Sequence, residues 1–224
     1  MPTNTCYMCD AVKTSMEHAP PDCMFPKFDL VNEDLRLNLV TVPACDLHNS
    51  KKSKDDEFFR AIMIFASAKN SEVAKLLFHD KLMRAVQRNP HTYNSFIKPI
   101  GLKIADDQIL KVDSERLERC ATQIARAIYF HTYKTKWLLP ILFVSPNLHS
   151  VENSIPIVPG PFSDAIKITK EFLASEPIRG ENPKVFKYRT RFDSEAKMYG
   201  FGAIFYDTFE VFCASSPAMS QAVV

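Results

Sequence analysis

The sequence predicts an α+β protein: a small N-terminal head stapled by a metal ion, then a mostly helical body that ends in a small antiparallel sheet. Three observations carry this expectation. Cys6-x2-Cys9 and Cys45-x2-His48, separated by a gap of 35 residues, together supply four metal ligands. Leu117, Ala121, Ile124 and Ile128 step by four, three and four, which places them on one face of a helix. Val185 to Phe192 alternates apolar with basic residues, as a half-exposed strand does.

In the head, three thiolates and one imidazole at this spacing have the ligand set of a tetrahedral zinc site. Glu17-His18-Ala19-Pro20-Pro21 lies between the two half-sites, and Asn49 directly follows the last ligand, with Lys51, Lys52 and Lys54 beyond it. Closing the zinc site therefore draws Glu17, His18 and Asn49 into one neighbourhood. Carboxylate and amide oxygens suit a hard cation such as Mg2+. An imidazole takes a proton from water near neutral pH, and lysines hold phosphates. Such a set of groups can form a centre for cutting a phosphodiester. Cys23 is a competing ligand that either replaces one of the four or packs as a small apolar residue, and packing is the expectation.

Over residues 4 to 60 the chain resembles the HNH endonucleases, zinc-stapled ββα-metal nucleases. The resemblance rests on Cys6-x2-Cys9, Glu17-His18-Ala19-Pro20-Pro21 and Cys45-x2-His48-Asn49-x2-Lys52. It implies that Cys6, Cys9, Cys45 and His48 bind a purely structural Zn2+, and that His18 is the general base. Glu17 and Asn49 would hold a catalytic Mg2+ or Mn2+, with Lys52 at the family spacing for phosphate contact or orientation of the site. Asp is frequent in the family where this chain has Glu17, and the extra methylene alters ligand reach. Asn38, seven residues before Cys45, is the nearest candidate for the middle position of the family's name. The implied activity is hydrolysis of double-stranded DNA to 5′-phosphate and 3′-hydroxyl ends. With one site per chain, a double-strand break needs a homodimer or two visits.

Composition sets the outer limits. An apolar fraction of 46% with 17 phenylalanines is enough for a real core in 224 residues. A net charge of +2 argues against a highly basic polymer binder but allows a local basic patch. Five glycines, with no G-x-G-x-x-G and no G-K-[ST], give nucleotide-binding folds no support. No apolar run approaches a membrane span, and the first residues do not form a leader. The scattered Cys23, Cys120 and Cys213 fit a reducing compartment, so the expected location is cytoplasmic.

The elements follow in order. Residues 10 to 27 form a knuckle and an irregular proline-rich segment carrying Glu17 and His18. Arg36 to Val42 reads as a strand that ends at Pro43 and delivers Cys45. Ser53 is a candidate N-cap with Asp56 three residues on, although a start nearer Ser50 is an alternative. Phe58, Phe59, Ile62, Met63 and Phe65 then form a buried helix. A second helix spans about Glu72 to Gln87 with Val73, Leu76, Leu77, Met83 and Val86 on one face, and Pro90 stops it. A short helix near Thr92 to Ile97 precedes the third long one, Glu115 to Tyr133. Trp137 to Val144 is a buried strand or core-packed turn, and the prolines at 146, 156, 159 and 161 mark a long connection. Ser163 caps a helix containing Ile166, Phe172 and Leu173, which ends before Pro177. Strands at 185–192, 201–206 and 208–213 close the chain, with Asp207 at a bend. Lys187, Arg189 and Arg191 on the first of these can bind a nucleic-acid backbone, but an ordinary wet face is the favoured reading.

The expected domains are thus a nuclease head at 1–60, an α+β body at 61–214 and a loose tail at 215–224. The body's sequence carries no chemistry of its own. It can bind substrate, dimerise or sense a regulatory partner. Two rivals to the nuclease stand beside it: a non-catalytic zinc-knuckle module binding nucleic acid or protein, and an RNA-directed nuclease using the same centre.

Overall fold

The computed structural model describes residues 4–84, 101–103, 109–152, 155–157 and 160–217. The head is built from β1 (Ser15–His18), α1 (Phe28–Val31) and β2 (Thr41–Ala44). The two strands pair antiparallel, Ser15 opposite Ala44 and His18 opposite Thr41. β2 starts five residues later than the β-branched run suggests. Asn38 sits in the left-handed region (φ 47°), which Asn tolerates better than most side chains, and this breaks the extended backbone before Thr41. Asn182 fastens this loop to the body, donating from Nδ2 to the Leu37 carbonyl at 2.8 Å.

Two short 3₁₀ turns, Asp46–His48 and Ser50–Lys52, lead into α2 (Ser53–Ser67). The expected cap differs from the structure: Ser53 is already helical, and Lys52 takes the cap position without a side-chain cap bond. Asp56 accepts from the Lys52 ammonium instead of completing a capping box. A charge-assisted bond to an ammonium outcompetes a neutral backbone donor. The boundary expected after residue 60 falls inside α2, whose Phe58, Phe59, Ile62, Met63 and Ile64 are all buried.

α3 (Glu72–Leu77) is capped by the Ser71 hydroxyl, which accepts from the Ala74 N–H, and passes into a π-helical turn at Phe78–Leu82. Ala74 and Leu77 face the core while Leu76 is exposed. Val86 and the short helix expected at Thr92 to Ile97 lie outside the described residues.

β3 (Gly101–Lys103) and β4 (Ile109–Lys111) precede α4 (Ser114–Tyr133). Asp113 caps α4 by accepting from the Arg116 N–H, and Lys134 ends it with φ 59°. Leu117, Ala121, Ile124 and Ile128 are buried on it as expected, and so is Cys120. β5 (Leu142–Val144), β6 (Leu148–Glu152), β7 (Ile155–Ile157) and α5 (Gly160–Leu173) follow. The proline-marked connection is therefore not structureless. β6 and β7 join the two preceding strands in an antiparallel sheet of order β4-β3-β6-β7. Pro156 is accommodated on β7 because that is an edge strand, where alternate backbone nitrogens face away from the sheet. Ser163 lies within α5 rather than at its cap, the helix starting at Gly160.

β8 (Phe186–Asp193), β9 (Met198–Phe205) and β10 (Phe209–Ser215) form, with β5, an antiparallel sheet of order β5-β10-β9-β8. Tyr206 and Asp207, both at positive φ, are the central residues of a turn closed by Thr208 N–H on Phe205 O, within the three-residue loop between β9 and β10. The fold is thus mixed helix and sheet, with a small antiparallel sheet near the C-terminus. One face of that sheet contributes Tyr199, Phe201, Phe205 and Phe209 to a buried cluster. The same cluster includes Phe58, Phe59, Leu117, Ile124 and Ile128, as well as Met24, Phe25 and Leu35 from the head side of the chain. α5 crosses the other face. Gly200 permits this, since a Cβ there would stand 2.6 Å from Phe172.

The basic row on β8 is occupied in holding this packing. Arg189 and Arg191 donate to the Ala174 and Phe172 carbonyls at the C-terminal end of α5, and Lys187 pairs with Asp207 at 2.5 Å. The favoured wet-face reading is thereby corrected: Arg189 and Arg191 stand opposite Gly202 and Gly200, on the face that α5 crosses. Among the described residues no helix is long and apolar enough to cross a membrane.

Candidate metal centre and the adjoining hairpin

Cys6, Cys9, Cys45 and His48 form a cluster that could hold a metal ion such as zinc, their ligand atoms all within 4.8 Å of one another. Nδ1 of His48 lies 3.3 Å from the sulfurs of Cys6 and Cys45 and 3.5 Å from that of Cys9, and the Cys9 and Cys45 sulfurs are 3.8 Å apart. Zinc–sulfur bonds of about 2.3 Å and zinc–nitrogen bonds of about 2.0–2.1 Å set tetrahedral edges of roughly 3.5–3.8 Å. The donor set and its spacing fit zinc, with Nδ1 as the imidazole ligand.

Local backbone bonds shape both knuckles. Cys6 N–H donates to Ala11 O and Tyr7 N–H to Pro43 O, which ties the first knuckle to β2. Met8 N–H points at the Cys6 sulfur at 3.4 Å, and His48 N–H closes the second knuckle on Cys45 O. Burial lowers the His48 pKa and so favours the neutral ring that can ligate. Behind the cluster, Tyr7 packs with Ala127 and Phe130 of α4. Lys136 braces the knuckle from the body, donating to Cys9 O at 2.6 Å and to Asp10 Oδ1 at 2.9 Å. Cys23 is not in the cluster. It points at the Asp56 carbonyl, and burial pushes its thiol up to about 11, so it packs as expected.

The residues beside the metal cluster are placed as follows. Asn49 reaches back to β1, donating from Nδ2 to Ser15 Oγ at 2.8 Å and to Met16 O at 3.2 Å. Glu17 and His18 are consecutive on β1 and point to opposite faces of the hairpin: Glu17 is buried and His18 partly exposed. Lys52 is also buried. Its Nζ donates to Glu17 Oε1 at 2.6 Å and to Asp56 Oδ1 at 2.5 Å.

Two carboxylates share one ammonium here, which leaves an excess negative charge out of water. Burial therefore raises Glu17 to about 7, with Lys52 offsetting only part of it, and raises Asp56 in the same way. For Lys52 the two carboxylates outweigh burial and raise its pKa, so the ammonium stays charged. Sequence reasoning missed Asp56 as the second carboxylate because it read that residue as a cap. The i,i+4 spacing of Lys52 and Asp56 was the available signal.

This arrangement bears on the divalent ion that Glu17 and Asn49 were expected to hold. Glu17 is buried with one oxygen on Lys52, and the Asn49 amide donates to β1. Glu17 as placed does not fit an open Mg2+ or Mn2+ site, whereas Asn49 donates through its nitrogen and keeps its amide oxygen out of those bonds. Lys52, expected to contact phosphate or to orient the site, lies buried against Glu17 and Asp56. In the body, a cleft of about 300 Å³ beside α5 is floored by Leu173, Ile204 and Phe212 and contains no metal-ligating cluster.

Comparison with known proteins finds no matching family model, no matching curated protein and no matching solved structure.

Proposed function

We propose that the chain is an HNH-type endonuclease that hydrolyses phosphodiesters in double-stranded DNA, with His18 as the base that deprotonates the attacking water. What supports this reading above all is the Cys3His cluster, whose half-sites stand just before β1 and between β2 and α2, with His18 partly exposed at the end of β1. Water oxygen would add to phosphorus as its proton passes to the His18 imidazole, and the 3′ oxygen would leave and take a proton from solvent, to give a 5′-phosphate and a 3′-hydroxyl. A zinc ion in the cluster would be structural, since four protein ligands leave no open position. Asn49, bonded to β1 on either side of the Ser15–Met16 peptide, is assigned to positioning the hairpin.

The test is plasmid nicking by zinc-replete protein with and without added Mg2+ or Mn2+, beside His18→Ala and Asn49→Ala and a matched RNA substrate. Cutting of DNA that His18→Ala loses while zinc content is unchanged supports the assignment. Cutting that survives His18→Ala removes His18 from the mechanism, and preference for the RNA substrate selects the RNA-directed form.

A second reading is a non-catalytic zinc module that binds nucleic acid or protein. The closure of Glu17 by Lys52 and Asp56 favours it, because a buried ion triad ties hairpin to helix without presenting any group to a substrate. Binding of the plasmid without cutting, equal in wild type and His18→Ala, is its expected signature.

A further inference from the structure

Glu17 on β1 and Asp56 on α2 face each other across the gap between hairpin and helix, and the group between them is a cation carried by the chain itself. The 3₁₀ turn at Ser50–Lys52 sets Lys52 just ahead of α2, one turn before Asp56, with its side chain against the inner face of β1. The Lys52 side chain is only 8% exposed, and its ammonium meets carboxylate oxygens at 2.6 Å and 2.5 Å. Glu17 lies between the two half-sites in sequence and Lys52 after the second, so only the folded hairpin brings them together.

We propose that Lys52 is the built-in cation of this site and keeps divalent ions off Glu17. The proposal rests on the reading of Glu17 as the carboxylate that a nuclease of this kind would give to a metal. Mg2+ demands near-octahedral oxygen ligation at about 2.0–2.1 Å and gives up its waters reluctantly, and Glu17 offers it one buried, already bonded carboxylate. The rival ammonium is tethered beside it, at an effective concentration that a dissolved ion has to outcompete. Cation access to Glu17 thus requires Lys52 to swing out, and the residue decides whether the carboxylate serves the hairpin–helix junction or a metal.

The test is titration of Mn2+ into the zinc-replete full chain, read from the electron paramagnetic resonance signal of free aqueous Mn2+. Wild type is expected to leave Mn2+ free up to on the order of 1 mM. Lys52→Gln is expected to bind one Mn2+ at least about tenfold more tightly, because the competing charge is gone. Adding Glu17→Gln to that variant should abolish the gain, and Lys52→Arg, which keeps the charge, should match wild type. Zinc content and a cooperative melt report on the fold of each variant. If Lys52→Gln does not fold, Lys52→Met combined with Asp56→Asn removes one charge of each sign and carries the same comparison.

Wild type binding Mn2+ through Glu17 as tightly as Lys52→Gln overturns the proposal, and so does a folded Lys52→Gln chain that gains no Mn2+. The readout is binding alone. Failure of His18→Ala to affect cutting would count against the nuclease reading and leave the Mn2+ result standing, so the two failures are distinguishable.

Discussion

The hairpin head and the C-terminal sheet are held by different physics. β1 and β2 have four residues each and, among the described residues, form a two-stranded sheet with each other. A two-stranded hairpin of that length is marginal in water. Besides the packing of Tyr7, Val42 and Ala44 with Ala127 and Phe130 of α4, polar contacts hold it: a Cys3His cluster at one end, the Glu17–Lys52–Asp56 triad beneath and the Lys136 brace at the side. β8 and β9, with eight residues each, pair along their full length and bury Tyr199, Phe201 and Phe205 against α4 and α2. The sheet is stabilised mainly by area removed from water, and the head joins a smaller apolar contact to a few directional bonds. The contrast teaches that the head can be opened by conditions the body does not feel, such as chelation or pH.

The largest expected effect comes from the metal. Structural zinc contributes on the order of 10 kcal/mol in small zinc modules. Stripping it with a strong chelator, or changing Cys45→Ser, is expected to make residues 10–52 protease-sensitive. Emission from Trp137, the chain's one tryptophan, should be preserved because it packs among Tyr129, Phe192 and Tyr199 in the body. A red shift in step with proteolysis would erase the distinction between the two regions.

Phe201→Ala attacks the other side of the comparison. Phe201 is fully buried, and removing such a side chain costs about 3–5 kcal/mol. Because head and body residues share one core cluster, denaturant melts followed at Trp137 and by zinc release should both move to lower midpoints. Loss at Trp137 with unchanged zinc retention would make the head more independent than its packing implies.

Glu17→Gln sharpens the electrostatic half. The folded carboxyl is held up at about 7, above its ordinary value near 4.5, by burial. Its contribution to stability is therefore fully present below about pH 4.5 and is lost as pH rises through about 7. Measured between pH 5.5 and 8, wild type should lose about 1–3 kcal/mol more than Glu17→Gln over that window. Parallel curves for the two proteins would show that Glu17 is solvated after all. The smallest effect is expected for Lys136→Met. Losing its bond to the Cys9 carbonyl should cost about 1 kcal/mol, read as earlier zinc release in a chelator titration.

Much of this molecule was legible from local pattern. The four ligands are spaced as two knuckles, the apolar stripe on α4 repeats with helical period, and β8 to β10 alternate as strands. Each of these signals is a short-range consequence of backbone geometry, so it survives in the bare sequence. The start of β2 was misread because β-branched residues argued for a strand through Asn38, whereas the Asn38 backbone turns left-handed before Thr41. The strands β6 and β7 were hidden by prolines, since a Pro is excluded only from a central strand and the sequence does not tell which strand will be an edge. Ser53 and Asp56 look like a capping box, and only the arrival of Lys52 between β1 and α2 shows where Asp56 points.

By itself, then, the sequence determined the ligand set, the class of the fold and the residues at which chemistry is to be sought, because these follow from residue type and spacing. The tertiary structure decided what those residues do with one another. Glu17 and Lys52 are 35 positions apart, and their partnership depends on the β1–β2 register and on the turn ahead of α2. A buried charge takes whichever partner the fold brings within reach, since an unpaired one out of water is too costly to persist.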